Sequence, residues 1–512
     1  MRTVVLTGAQ LTSFDVMAVA RSEASVRISE AALERVRAAR RTVDGILERG
    51  ETVYGINTGF GALVNTTIGP EDVERLQVNL IRSHATALGK PLSIVRTRAM
   101  MTVRLNSLVN GHSGVHEDPL HLMVDLLNAG ITPVVPHLGS LGASGDLAPL
   151  SHMALVLIGE GEVWHNGVPS PASDVLHEAG LTPIRLRAKD GLSLINGTSL
   201  MSSLLAEADV LLHHLLPMAD LILCGALEAR RCSIRPFDPR IHAVRPHPGQ
   251  RKVAARVTRW MEQSANVADH ADCDRVQDPY SFRCAAQVHG VSAERYDALS
   301  TTVRIELNAV TDNPLIFPDP ASPGPHEVIS QGNFHGEIIG QTADAMALAL
   351  FEQASMSERR MDQMLDPARS GGRAFLAHSS GLESGLMIVH YVAGAALSEM
   401  HGGVLPRSAF STVTSGGQED HVSMGATACF NLLHVIERFV DVLACEALIA
   451  CEAIEDLPVQ PSQAVQTLHK QVRSVADPLT EDRSTSSDLE SIGAALRAGS
   501  WHALVQSLHP EP

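Results

Sequence analysis

From about residue 198 onward the chain repeats one pattern: long alanine- and leucine-rich stretches with apolar residues every three to four positions. These stretches run over Thr198 to Arg230, Asp297 to Ala309, His335 to Leu365, Gly385 to Met400 and His421 to Ile454. That period matches one face of an α-helix, and alanine and leucine are strong helix formers. Helices this long must bury their apolar stripes against one another, and strand-like runs are few. The pattern predicts a mainly α fold built on a long helical bundle. It also predicts a division near residue 200, with a smaller mixed region at 1–200 and the long helices and C-terminal helical region at 201–512.

The first region alternates shorter helical patterns with turns. Ser29 to Arg49 reads as a capped helix with Ala32, Leu33, Val36, Ala39, Val43 and Ile46 on one face. It runs into Tyr54-Gly55-Ile56-Asn57-Thr58-Gly59-Phe60-Gly61, whose glycines predict a loop. Glu71 to Leu88, Thr97 to Leu108 and Pro119 to Ala129 are predicted helices, and Asn166-Gly167 predicts a hairpin turn. The Pro-rich stretch Pro318 to Pro325 and Ser370-Gly371-Gly372 read as loops. The polar tail after Asp477 is expected to pack loosely before a final helix near Leu489 to Leu508.

Charge and cysteine usage narrow the partners. A net charge of -17 argues against nucleic acid, because phosphate binding needs clustered cations. Seven scattered cysteines with no Cys-x-x-Cys read as reduced thiols of a cytoplasmic protein. Asp15 interrupts Met1 to Ala20, so no secretory leader is expected. Val210 to Ala226 contains His213, His214, Pro217 and Asp220, and Val435 to Ile454 contains five charged residues. Neither is expected to span a bilayer, which takes about 20 apolar residues. Among 24 histidines, His112, His116 and His121 with Glu117 come nearest to a ligand cluster. Gly114 and Pro119 break the helix that would align them, so no metal is expected.

One stretch carries chemistry of its own: Gly139-Ser140-Leu141-Gly142-Ala143-Ser144-Gly145-Asp146-Leu147-Ala148-Pro149-Leu150-Ser151. Ala143, Ser144 and Gly145 are small enough for the backbone to bend one amide onto another carbonyl. Attack of the Gly145 nitrogen on the Ala143 carbonyl closes a five-membered ring and releases water. Loss of the Ser144 hydroxyl as a second water leaves a conjugated methylidene, giving the electrophile 4-methylideneimidazol-5-one (MIO). The local sequence lacks the Gly-x-Ser-x-Gly spacing of a hydrolase nucleophile elbow. No Gly-Lys-Ser/Thr follows a glycine cluster, which excludes a phosphate-cradling loop of that type.

Five further segments accompany this block: the Tyr54 loop, Leu194-Ile195-Asn196-Gly197-Thr198-Ser199, Gln277-Asp278-Pro279-Tyr280-Ser281-Phe282-Arg283-Cys284, Asn333-Phe334-His335 and Gln418-Glu419-Asp420-His421-Val422-Ser423-Met424. Together they resemble the MIO-dependent aromatic amino acid ammonia-lyases and aminomutases. The resemblance runs from about Tyr54 to Glu452, with the motifs in the family's order. It implies a fumarase/aspartase-like helical bundle, with the ring tripeptide in the N-terminal catalytic region. It also implies a homotetramer whose active sites combine residues of several subunits, and no dissociable cofactor. The Gly-Ser-x-x-Met-x-x-Lys-x-Asn loop of the fumarase–argininosuccinate lyases is missing.

Deaminating an amino acid to an unsaturated acid requires an electrophile for the amine and a base for the weakly acidic β-proton. The resemblance assigns the base to Tyr54, whose phenol needs hydrogen bonds or nearby positive charge to act near neutral pH. It places Asn196 beside the ring, Gln277 and Tyr280 in the polar network, and Arg283 on the substrate carboxylate. An arginine fork can donate to both carboxylate oxygens at once. Phe334 is expected beside the substrate.

Three positions bear on substrate choice. Ser83-His84, Met387 and Glu419 take the form seen in the histidine-specific branch. Imidazole has two nitrogens to satisfy when buried, and His84 and Glu419 can meet them. A phenyl ring would leave both groups unpaired, at about 1–3 kcal/mol each. The expected reaction is deamination of L-histidine to trans-urocanate, a step of histidine catabolism. Gly336-Glu337-Ile338, Ser415-Gly416-Gly417 and the segment His401 to Thr414 depart from the family pattern. They leave open a lyase or 2,3-aminomutase acting on tyrosine or phenylalanine.

Overall fold

The helical periodicity is realised close to the expected bounds. The five long helices are Ser199–Ala229, Ala285–Glu306, Glu337–Leu365, Met387–Gly403 and Gly425–Ile454. The second starts at Ala285, well before the expected Asp297. Gly290 weakens the local helical signal. In the fold, however, a Cβ there would come within 2.5 Å of the Gln250 backbone nitrogen, so close packing requires the glycine.

The computed structural model describes residues 2–58, 68–269, 275–319 and 327–508. Gly59-Phe60-Gly61 of the Tyr54 loop and residues 320–325 of the Pro-rich stretch lie outside the described residues. The chain contains two compact units, both discontinuous in sequence. One comprises Met1–Val210, Ser300–Ala343 and Pro406–Phe430; the other comprises Leu211–Leu299, Asp344–Leu405 and Asn431–Pro512.

In the first unit, Ser29 Oγ accepts the Ala32 amide and starts the helix Glu30–Glu48. Its whole expected apolar face is buried, and Ala39, Val43 and Ile46 pack in one core with Ile56, Val73 and Ile316. The helix expected over Glu71 to Leu88 is shorter. A 3-10 turn at Pro70–Asp72 leads into Val73–His84, and the chain then enters the strand Leu88–Pro91, antiparallel to Pro136–Leu138. This leaves His84 at the helix's C-terminal end. Asn166 and Gly167, both at positive φ, join the antiparallel strands Glu162–His165 and Val168–Pro171. A parallel pair, Arg2–Leu6 with Ala24–Ile28, adds to the mixed character of this region.

In the second unit, the expected single C-terminal helix is two, Ser486–Ala498 and His502–Leu508, separated by Gly499 at φ 64°. Ile492, Leu496 and Trp501 are buried, so this segment is packed rather than loose. The helix Ser199–Ala229 is long and apolar enough to cross a membrane by length and composition, despite its internal polar residues. Of its most apolar window, 78% is buried inside the protein.

The second unit also holds a fully buried ion pair. Arg360 donates from Nη2 to Glu446 Oε2 at 2.9 Å and from Nε to Oε1, while Ser357 Oγ also donates to Oε2. Both side chains are 0% exposed. Removing one partner strands the other charge in a dry interior, at a cost of about 3–5 kcal/mol. Glu446→Gln should therefore lower the thermal midpoint sharply. A midpoint within a degree or so of wild type would mean that water or another anion reaches Arg360.

Candidate active site

The Ala143-Ser144-Gly145 turn is clamped from three sides. Gly145 sits at φ 74° in a bridge with Gly197, and a Cβ on it would lie 2.1 Å from the Gly197 oxygen. Only glycine fits there. The Asp146 amide donates to that same oxygen at 2.8 Å. On the second side, the Gly142 carbonyl accepts from Gly336 N at 3.2 Å and from Ser423 Oγ at 2.9 Å. On the third, Met424 N donates to Leu141 O at 2.9 Å, and Ala143 packs against Val422 and Met424.

Asp146 ties this turn to the start of the helix Ser199–Ala229. Its Oδ2 accepts the Leu200 and Met201 amides at 2.8 and 3.2 Å, and its Oδ1 accepts Ser140 Oγ at 2.8 Å. The side chain is completely buried. Burial pushes its carboxyl up to about 6, against the pull of these hydrogen bonds and of Arg104. Relative to an ordinary aspartate at 3.8, the native state holds the proton more tightly. The resulting stabilisation is complete below the unfolded value and is lost as pH rises through about 6. Asp146→Asn removes this titration. The urea midpoint of the variant should therefore gain on wild type between about pH 4 and about pH 6. A constant difference across that window would exclude the raised carboxyl.

Beside the turn lies a cavity of about 850 Å³. Its walls bring together Tyr54, His84, Ser144, Asn196, Phe334 and Glu419, with Ala143 at the same wall. Ser144 Oγ donates to Glu419 Oε1 at 2.5 Å, and Thr414 Oγ1 holds Glu419 Oε2 at 2.8 Å. Asn196 is 4% exposed; its amide donates to the Asn313 carbonyl at 3.3 Å, while its Oδ1 has no partner among the described residues. His84 Nδ1 lies 2.8 Å from the Leu80 carbonyl. That contact assigns the proton to Nδ1 and leaves Nε2 as an acceptor.

Five expected site residues are not among those lining this cavity: Gly145, which sits within the clamped turn, and four others. Gln277, Tyr280, Arg283 and Met387 belong to the second unit. Gln277 and Arg283 line a separate cavity of about 1050 Å³ there. Arg283 stacks over the largely exposed Tyr280 ring at 4.7 Å, and its buried Nε has no partner among the described residues. Met387 begins the helix Met387–Gly403. No arginine or lysine is among the described residues lining the Ser144 cavity.

Thr414 and Asn313 escaped sequence reasoning. Thr414 orients Glu419 through an isolated bridge, and Asn313 receives Asn196; neither carries a local signal beyond that of a turn. The histidines at 112, 116 and 121 do not converge on an ion. His112 Nδ1 binds the Ile316 carbonyl at 2.8 Å, and His116 Nδ1 accepts the Asp118 amide.

A helical chain with a pinched Ala-Ser-Gly turn facing a carboxylate, an imidazole and a tyrosine has the parts of an amine-eliminating lyase. The profile of the family described as aromatic amino acid lyase matches residues 11–474, and the chain belongs to this family. A histidine ammonia-lyase of Myxococcus xanthus is 41% identical over 505 residues, covering 98% of each chain. The crystal structure of histidine ammonia-lyase from Trypanosoma cruzi superposes with a TM-score of 0.91 at 40% identity, covering 100% of this chain and 96% of that one. Tyrosine aminomutase from Streptomyces globisporus reaches a TM-score of 0.92 at 32% identity, covering 100% and 99%. The expected mainly α fold agrees with these neighbours.

Proposed function

We propose that this protein deaminates L-histidine to trans-urocanate and ammonia. The observation that carries the reading is the convergence of His84 and Glu419 on the cavity beside Ser144. One is an imidazole with an acceptor nitrogen, the other a carboxylate, and together they offer acceptors to both N–H groups of a protonated histidine ring. The tight fit at Gly145 and the Ser144–Glu419 contact suit conversion of Ala143-Ser144-Gly145 to MIO. That group supplies an electrophile that captures the substrate amine and turns it into a leaving group.

The chain's own residues do the rest. Tyr54 removes the β-proton. Asn196 turns its amide to charge developing at the reacting centre. His84 Nε2 accepts an imidazole N–H, Glu419 holds the other end of the ring, and Phe334 walls the side chain, with Met387, which does not line this cavity, added from another subunit. Gln277, Tyr280 and Arg283 hold the carboxylate. The placement of Gln277 and Arg283 at a cavity other than the Ser144 one supports supply of this clamp by another subunit, within a homotetramer with shared active sites. The six described cysteines are all free, which suits a cytoplasmic enzyme.

The deciding measurement is kcat/KM for L-histidine, L-tyrosine and L-phenylalanine, with products separated. A site that hydrogen-bonds a buried polar ring rejects the apolar analogue by about 10⁴-fold or more. Glu419→Gln should depress histidine turnover while leaving the modified tripeptide intact. Preference for phenylalanine or tyrosine would refute the substrate. A β-amino acid as main product would make the protein an aminomutase, the alternative that Ser415-Gly416-Gly417 and the segment His401 to Thr414 leave open.

A further inference from the structure

Glu337, the first residue of its helix, leaves one oxygen unexplained. Its Oε1 accepts from Gln341 Nε2 at 2.7 Å. Its Oε2 is shut off from water and has no hydrogen-bond partner among the described residues. A buried carboxylate oxygen without a donor is costly, so something positive belongs against it. The nearest candidate, His421 Nε2, stands 3.8 Å away, too far for a hydrogen bond. A second imidazole, His335, lies alongside: the two rings are nearly parallel, with an interplanar angle of 7° and centroids 5.7 Å apart. One donor atom from each of His335, Glu337 and His421 falls within 4.8 Å of the other two.

We propose that His335, Glu337 and His421 form a divalent transition-metal site, with Zn²⁺ as its ion, at the rim of the Ser144 cavity. Two imidazoles and a carboxylate are a donor set suited to zinc, whereas Mg²⁺ and Ca²⁺ prefer oxygen ligands throughout. Bonds of about 2.0–2.2 Å would draw the three donor atoms to about 3–3.5 Å apart. His421 is the ligand placed to supply that movement, since its side chain is 64% exposed. Three protein ligands leave coordination open to water or to a ligand. Because His335 and His421 both line the cavity, those positions open toward the space assigned to the amino acid. The donor set does not depend on the identity of the substrate.

The test uses the full-length protein, stripped with a chelator and titrated with Zn²⁺ against a colorimetric zinc indicator, with Mg²⁺ in parallel. Wild type should take up one tightly held zinc per chain and no Mg²⁺ of comparable affinity. Glu337→Gln and His421→Ala should each weaken that uptake by about tenfold or more. His421 is exposed, so His421→Ala should keep the wild-type circular dichroism and melting temperature, separating lost ligation from lost fold. Two results overturn the site: no tight zinc in wild type, or equal zinc in wild type and both variants. The first would leave a simple His421–Glu337 ion pair, and the second would move the zinc to other histidines.

Discussion

Ser144→Ala should reduce turnover by roughly 10³-fold or more, the scale seen when a covalent catalytic group is removed. The hydroxyl of Ser144 is the only group in the clamped turn that can leave as the second water. It already donates to Glu419 Oε1 at 2.5 Å, a carboxylate whose other oxygen is held by Thr414. An alanine keeps the small volume and the backbone path, so the fold should survive. Peptide mass measurement separates the two proteins. The wild-type segment should be lighter by two waters, and the variant's by one at most. A wild-type peptide of unmodified mass from active enzyme, or a variant with near-normal turnover, would remove the tripeptide from the chemistry.

The second large effect is expected at Tyr54. Replacing it with phenylalanine removes one oxygen from the cavity wall and leaves the ring in place. Loss of a positioned general base costs about 10²–10⁴ in rate, so kcat should fall by that factor. KM should change far less, because the proposed carboxylate and imidazole contacts are assigned to other residues. Normal melting of the variant would tie the loss to proton transfer. A Tyr54→Phe enzyme that retains most of its kcat would shift the base elsewhere, with Glu419 next in reach of Ser144.

Much of this molecule can be read along the chain. Periodicity located the long helices because each must present one apolar stripe to a neighbour, a demand written every three to four residues. The Ser29 cap and the Asn166-Gly167 turn are likewise local rules obeyed locally. The Ala143-Ser144-Gly145 tripeptide and the segments that accompany it were legible as motifs, since a motif depends only on residue type and local spacing. Local signals failed where distant packing governs. Gly290 looks like a helix weakness, yet it lies against the Gln250 backbone, and Gly499 splits a tail that reads as one helix.

The sequence by itself determined the helical class, the Ala143-Ser144-Gly145 block with its accompanying motifs, and the presence of His84 and Glu419 as polar candidates. Tertiary structure decided which of those residues meet. It gathered Tyr54, His84, Asn196, Phe334 and Glu419 around Ser144, and it left Gln277 and Arg283 at a different cavity. It also raised the Asp146 carboxyl to about 6 by enclosing it, and it set His335 and His421 beside the unpartnered oxygen of Glu337. The physical reason is that burial, pKa and ligand geometry depend on atoms brought together from positions far apart in the chain. Ser144 and Glu419, 275 residues apart, are joined by one hydrogen bond that no local pattern encodes.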